Sequence, residues 1–328
     1  MRRRKFGKLV GGATATFLPI GRTSAQQQRR LAEIGYLSFS SAADDTPAQK
    51  AFFSGLSALG YVEGKNIHIE YRYADRDNGR RLATMAAELA ARNVDVIVTF
   101  ANGVPVARQA TSTIPIVQAT GVDPVALGLT TSLARPDGNV TGMAFFSAEL
   151  VAKRLEFLRE TIPSLTRAGA LFFKGGIYKS PDLDLLRKVA EVQSVDLRVG
   201  EVHTSAELEA RLEALVAQGI QGLVVSDHAL FRLNASHLTA FAGKHKLPLL
   251  GFVELCRSGG LLGYGVDFSE QFRRSAFFVD RILKGARPSD LPIEQATKFE
   301  LVINMKTAKT LGLTIPPSIL ARADEVIE

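Results

Sequence analysis

A chain of 328 residues with 46% hydrophobic residues and a single cysteine, Cys256, has room for two α/β lobes and excludes an internal disulfide. Its formal charge of +7 overstates its basicity: six of its 40 basic residues and none of its 33 acids lie in residues 1–25, so the rest carries 34 against 33, a net charge of +1. That balance gives no electrostatic footprint for nucleic acid.

In chain order, the first element is a leader. Arg2, Arg3, Arg4, Lys5 and Lys8 make a dense positive cluster, residues 9–18 an apolar, small-residue run, and Thr23-Ser24-Ala25 a small-residue cleavage point. These are the three parts of a secretory signal, and the apolar run is too short for a membrane anchor. Arg3-Arg4-Lys5-Phe6-Gly7-Lys8 also fits the twin-arginine pattern, so both export routes stay open. No cysteine ends the run, so a lipid anchor is not supported. Cleavage near Ala25 and a periplasmic mature protein are expected.

Beyond the leader, apolar runs alternate with helical patterns. Residues 32–39 read as a strand. Phe52, Leu56 and Leu59 mark a helix that stops at Gly60, and residues 66–73 alternate as a strand. Leu82, Met85, Ala86, Leu89 and Ala90 share a helix face. Residues 94–100 and 114–119 are buried-type strands with a helix between them. The series then repeats: a helix through Leu150, Leu155, Leu158 and Ile162; strands at 168–173 and 197–203 around a helix at 181–195; and a capping box at Thr204-Ser205-Ala206-Glu207 before a helix through Leu208, Leu212 and Leu215. Strands at 222–226, 247–252 and 261–266 and a helix at 233–245 complete it. A helix through Phe272, Ala276, Val279 and Leu283, a strand at 298–304 and a short helix at 306–311 close the chain.

Alternation of this kind specifies parallel sheets covered by helices, twice over. The expected fold is therefore α/β: two Rossmann-like lobes joined by a multi-crossover hinge, with lobe 1 at 30–142 plus 267–291 and lobe 2 at 143–266 plus 292–328. The additional helix and strand after the second set are what suggest several crossovers. Ligands of such sheets bind beyond the carboxyl ends of the strands, here facing a shared cleft.

Catalytic signatures are missing from the sequence. It holds no GxSxG elbow, P-loop or HExxH, and its five histidines lack zinc-ligand spacing. The run Gly259-Gly260-Leu261-Leu262-Gly263-Tyr264-Gly265 does not match GxGxxG and reads as a place of close backbone approach near a hinge. Neither an enzyme nor a cofactor is expected.

Several blocks resemble one family. Val122-Asp123-Pro124-Val125, Ser132-Leu133-Ala134-Arg135-Pro136-Asp137-Gly138-Asn139-Val140-Thr141-Gly142, the stretch from Lys298 to Lys309, and the closing Leu313-Thr314-Ile315-Pro316-Pro317-Ser318 with Ala321 to Ile327 are similar to bacterial ABC-transporter substrate-binding proteins. That family includes the TrpX-type binding proteins for aromatic amino acids. The resemblance implies the type I periplasmic-binding-protein fold, a small-molecule solute, an ABC permease in the inner membrane as partner, and a monomer. A sensor that presents solute to a membrane receptor is the alternative. Two loops depart from the family pattern: Lys174-Gly175-Gly176-Ile177-Tyr178 stands where an Asn-Pro loop is usual, and Asp227-His228 where Asp-Pro is.

An amino-acid-like solute needs donors for its carboxylate and an acid for its ammonium. Ser38, Phe39 and Ser40 follow the first strand. Asn102 and Gly103 follow the third, Asn102 as ligand contact or as helix cap. Asp123 is a ligand contact or an Asx-turn before Pro124. In lobe 2, Asp227 is expected to meet an ammonium, and Asp267 either does so or caps the next helix. Phe146, Tyr178 and Phe252 are expected as apolar walls. Glu254 is a further candidate acid.

Overall fold

The computed structural model describes residues 31–43, 46–75, 80–121, 123–174 and 181–328; the expected leader and Tyr178 lie outside them. The chain order is β1 (Ala32–Ser38), α1 (Pro47–Ala58), β2 (Ile67–Tyr73), α2 (Arg80–Arg92), β3 (Val96–Thr99), α3 (Gly103–Ala110), β4 (Ile116–Gln118) and β5 (Val140–Ala144). It continues with α4 (Ser147–Thr161), β6 (Arg167–Phe173), α5 (Pro181–Val192), β7 (Asp196–Val202), α6 (Leu208–Ala217), β8 (Leu223–Val225), α7 (Ala229–Leu233), α8 (Ala235–Lys244), β9 (Leu249–Gly251), α9 (Val253–Arg257) and β10 (Leu262–Val266). The last part holds α10 (Phe268–Leu283), β11 (Glu294–Gln295), β12 (Phe299–Asn304), α11 (Met305–Thr310), α12 (Pro317–Leu320) and β13 (Glu325–Ile327).

These strands form two sheets. The first, in the order β11-β5-β4-β3-β1-β2, is parallel throughout. The second runs β13-β12-β10-β9-β8-β6-β7 and is parallel except where β12 meets β10. Each sheet is covered on both faces, which is why its central strands are apolar runs, while the edge strands β2 and β7 are mixed. On sheet 1, α1 and α10 bury Phe52, Leu56, Phe272 and Ala276 against Ile34, Val96 and Val98, while α2 and α3 bury Leu82, Leu89 and Val104 against Leu37, Ile97 and Ile116. On sheet 2, α4 and α5 bury Leu155, Leu158 and Leu186 on one face, and α6 and α8 bury Leu212, Leu215 and Leu238 on the other. This is the two-lobed fold that the resemblance implies.

Three segments pass between the lobes: β5 to α4, β10 to α10, and β11 to β12. Sheet pairing carries lobe 1 to Ala144 and takes in Glu294–Gln295, so the changeovers fall slightly beyond the expected breaks at 142/143 and 291/292. Gly142 explains why β5 can pair so closely: it holds φ at +126°, and a side chain there would run into the Gln118 backbone. The glycine run behaves as expected at Gly263, where a Cβ would stand 2.8 Å from the Val253 Cα under α9.

Of two local expectations, one is extended and one corrected. The helix expected over 233–245 is α8, and the short α7 stands before it, separated by Asn234, whose amide donates back to the Leu230 carbonyl at 2.7 Å and sideways to Ser205 Oγ at 2.9 Å. The Thr204 box is not a cap, because the Thr204 hydroxyl donates to Glu207 at 3.1 Å rather than accepting from the helix.

Candidate functional site

Topology selects where a ligand would sit. In sheet 1 the chain moves outward from β1 to β2 and then reverses to β3, so its switch point lies between β1 and β3. In sheet 2 the reversal lies between β6 and β8. Crevices open at the carboxyl ends of such strand pairs. Residues 38–41 and 100–102 lie there on one side, and residues 173–174 and 226–228 on the other.

The two switch points touch. The Asn102 carboxamide nitrogen stands 3.3 Å from His228 Nε2, a contact between lobes. His228 also caps α7: the Leu230 N–H donates to its Nδ1 at 3.1 Å. A neutral ring whose Nδ1 accepts carries its proton on Nε2, so a hydrogen bond to Asn102 requires the carboxamide turned with its oxygen toward the ring. The imidazole lies flat on Phe173, with centroids 3.8 Å apart and planes 6° apart. Burial pulls it down to about 4, because a charged ring would lose its hydration there. His228 is therefore neutral at pH 7.

Behind this contact runs a row of alternating charges. Arg154 on α4 is fully buried; it donates from Nε to the Tyr264 carbonyl at 2.8 Å and from Nη1 to the Val225 carbonyl at 2.9 Å, and its Nη1 is paired with Asp227 Oδ2 at 2.7 Å. Arg232 donates from Nη2 to Asp227 Oδ1 at 3.1 Å and from Nη1 to Glu254 Oε2 at 2.7 Å. Its guanidinium is sandwiched between Phe252, 4.3 Å from the ring centroid, and Phe268, at 4.1 Å.

The expected residues divide accordingly. Asp227 lies between two guanidiniums: its Oδ1 accepts from Arg232 Nη2, while its buried Oδ2 stands 2.7 Å from Arg154 Nη1 without a hydrogen bond among the described residues. Asp267 caps α10, its Oδ1 accepting from the Glu270 N–H at 3.0 Å. Asp123 makes its Asx-turn, Oδ1 accepting from the Val125 N–H at 2.9 Å. Phe252 is fully buried and covered by Arg232, so it is core rather than an apolar wall. Asn102 makes no side-chain cap and reaches His228 instead. Gly103 is buried, and a methyl there would overlap the Thr99 hydroxyl, which itself donates to the Leu37 carbonyl. Ser38 is buried with its Oγ accepting from the Ser40 N–H at 3.1 Å, while Phe39, Ser40 and Phe146 are half-buried at the strand ends. Lys174 pairs with Glu201 at 3.1 Å.

Arg154, Arg232, Phe173 and the latch role of His228 were not anticipated. A signal existed for Arg154: it falls three residues after Val151 and four before Leu158, on the apolar face of its helix. Arg232 and His228 carry no such pattern, since their partners are distant in sequence. Among the described residues no group of three or more His, Cys, Asp or Glu is placed to hold a metal ion.

Comparison with known proteins agrees with this fold. A tyrosine-binding protein of Clostridioides difficile (strain R20291) is 26% identical over 268 residues, which is 81% of this chain and 76% of that protein. A conserved domain protein from Vibrio cholerae superposes with a TM-score of 0.84 at 27% identity, covering 90% of this chain and all of the other. An ABC domain from Streptococcus pneumonia in complex with L-Trp gives 0.83 at 24% identity with the same coverage. The fold is thus shared with these proteins, and with residues 40–327 matching its family model the chain belongs to the ABC transporter substrate binding protein family.

Proposed function

We propose that the protein is the extracytoplasmic solute-binding component of an ABC importer, and that it closes its lobes on an amino acid with an aromatic side chain. The observation that carries this reading is the meeting of the two switch points at Asn102 and His228, with the Phe173 ring stacked beneath. A hinged pair of lobes whose ligand-facing ends touch is a clamp, and stacked rings at its contact suit a planar apolar side chain as neighbour. The relatives that bind tyrosine and L-Trp support the choice of ligand. The cleft between the lobes is the site in this reading. The basic and apolar leader supports export, with a mature chain beginning near Gln26 and an inner-membrane ABC permease as its partner.

Isothermal calorimetry on the mature chain tests the reading. L-tryptophan or L-tyrosine should bind in the micromolar range or tighter, while ribose and L-leucine bind far more weakly. A preference for the sugar, or no binding of any amino acid, would overturn it. N-terminal sequencing of protein recovered from the periplasm should find Gln26 rather than Met1.

A further inference from the structure

The row of charges grows more exposed along its length. Arg154 and Asp227 are sealed, with side chains 0% and 2% exposed; Arg232 stands at 27% and Glu254 at 51%. The inner pair is structural, since Arg154 ties the Tyr264 and Val225 carbonyls of β10 and β8 together. The outer pair has no such duty. An ion pair to a half-exposed carboxylate adds little to stability, so holding Glu254 does not account for a guanidinium fixed between two rings. The sandwich does something else: with Nη2 tied to Asp227, it fixes the direction of a planar fork of donors. The fork lies at the carboxyl ends of β8, β9 and β10, because Asp227, Phe252 and Phe268 follow those strands directly.

The charges also cancel. Two arginines face two carboxylates in this row, and the neighbouring His228 is neutral, so the row itself presents adjacent opposite charges rather than net charge. A lone amine or a lone carboxylate closed against such a pair would leave one charge desolvated without a partner. A zwitterion leaves none: its carboxylate meets the guanidinium and its ammonium meets the displaced carboxylate.

Resting on the amino-acid reading above, we infer that Arg232 and Glu254 together form the headgroup site for an α-amino acid. The ligand carboxylate takes the Arg232 Nη1 hydrogen bond from Glu254, and Glu254, hinged on the exposed first turn of α9, turns to accept the ammonium. Glu254 is then the stand-in for the ligand's carboxylate whenever the site is empty.

Calorimetry on the mature chain tests this with L-tyrosine, with tyramine, which lacks the carboxylate, and with 3-(4-hydroxyphenyl)propionate, which lacks the amine; L-tryptophan, tryptamine and indole-3-propionate form a parallel set. Wild type should bind each amino acid about tenfold to a hundredfold more tightly than either of its truncated analogues. Glu254→Gln, at an exposed position, should fold normally and lose its preference for the amino acid over the acid lacking the amine. Arg232→Gln should lose its preference over the amine, and Arg232→Lys should restore it only in part. Should Arg232→Gln fail to fold, Glu254→Gln decides by itself. Variants that keep wild-type discrimination would overturn the headgroup site and leave the amino-acid reading standing. A wild type that binds neither amino acid would remove both.

Discussion

Asp227 is the anion that keeps two guanidiniums apart beneath the ends of the lobe 2 strands. Removing its charge leaves Arg154 and Arg232 facing each other, with Arg154 unable to reach water. Asp227→Asn is therefore expected to cost about 3–5 kcal/mol of folding stability, as breaking one side of a buried ion pair does. Urea unfolding of variant and wild type measures it, and an unchanged midpoint would show that the Tyr264 and Val225 carbonyls suffice for Arg154. His228 yields a second expectation. Its folded value near 4 lies below the ordinary 6.5, so between those values the unfolded chain takes up a proton that the folded chain refuses. Stability falls as pH drops through that window, by about 3 kcal/mol from this group, and its contribution levels off below pH 4. His228→Asn keeps an acceptor for the Leu230 N–H and removes the titration, so its stability should fall less steeply than wild type between pH 6.5 and 4. Neither role was legible in the sequence. An aspartate after a strand signals a cleft, but whether its charge is open or already matched depends on Arg154, 73 positions earlier, and on a helical turn that brings Arg232 back.

At the scale of single elements, most of the fold was readable, because a doubly wound sheet announces itself by apolar runs alternating with amphipathic helices. What escaped were elements too short or too mixed to show a period. The β5 sequence Val-Thr-Gly-Met-Ala is buried at every position yet holds a threonine and a glycine; the Thr141 hydroxyl donates to the Leu291 carbonyl, 2.8 Å away and 150 residues on. β11 has two residues and exists through its pairing with Met143 and Ala144. Caps show the same limit. Thr46 and Gln49 form the true capping box of α1, with reciprocal bonds of 3.2 and 3.1 Å behind Pro47, although the pattern at Thr204 reads equally well. Thr46→Ala should cost about 1 kcal/mol. Gly103→Ala, which forces a methyl onto Thr99 at the start of α3, should cost about 1–3 kcal/mol and loosen the loop that carries Asn102. Chemical denaturation measures both losses. A Gly103→Ala variant of wild-type stability would mean that Thr99 gives up its bond to Leu37 at no cost.

For the whole molecule, the hinge was anticipated from the additional helix and strand, whereas the Asn102–His228 contact between the lobes was not. Asn102→Ala removes that contact without touching either core, so it should shift the unliganded protein toward a more open form. Small-angle scattering should then report a larger radius of gyration than wild type, with the two converging when saturating L-tryptophan or L-tyrosine is added. Identical radii without ligand would mean that the His228 bond contributes nothing to closure.

The crossovers have one more consequence, for the order in which the molecule is made. Lobe 1 begins the chain, yet the helix that seals one of its faces is α10, and Phe272, Ala276, Val279 and Ile282 are what Phe52, Leu56 and Ile34 pack against. Its sixth strand is β11, later still in the chain than α10. A nascent chain released as far as Val266 has synthesised five of the six strands of that sheet and still exposes its aromatic face. Such a chain cannot complete its first lobe while it is still being made. Chains truncated after Val266 should accordingly show no cooperative unfolding transition for lobe 1 and should bind the dye ANS, and adding residues 267–295 back to the same polypeptide should abolish the dye signal from that face. The lateness of that lobe is written into the path of the backbone.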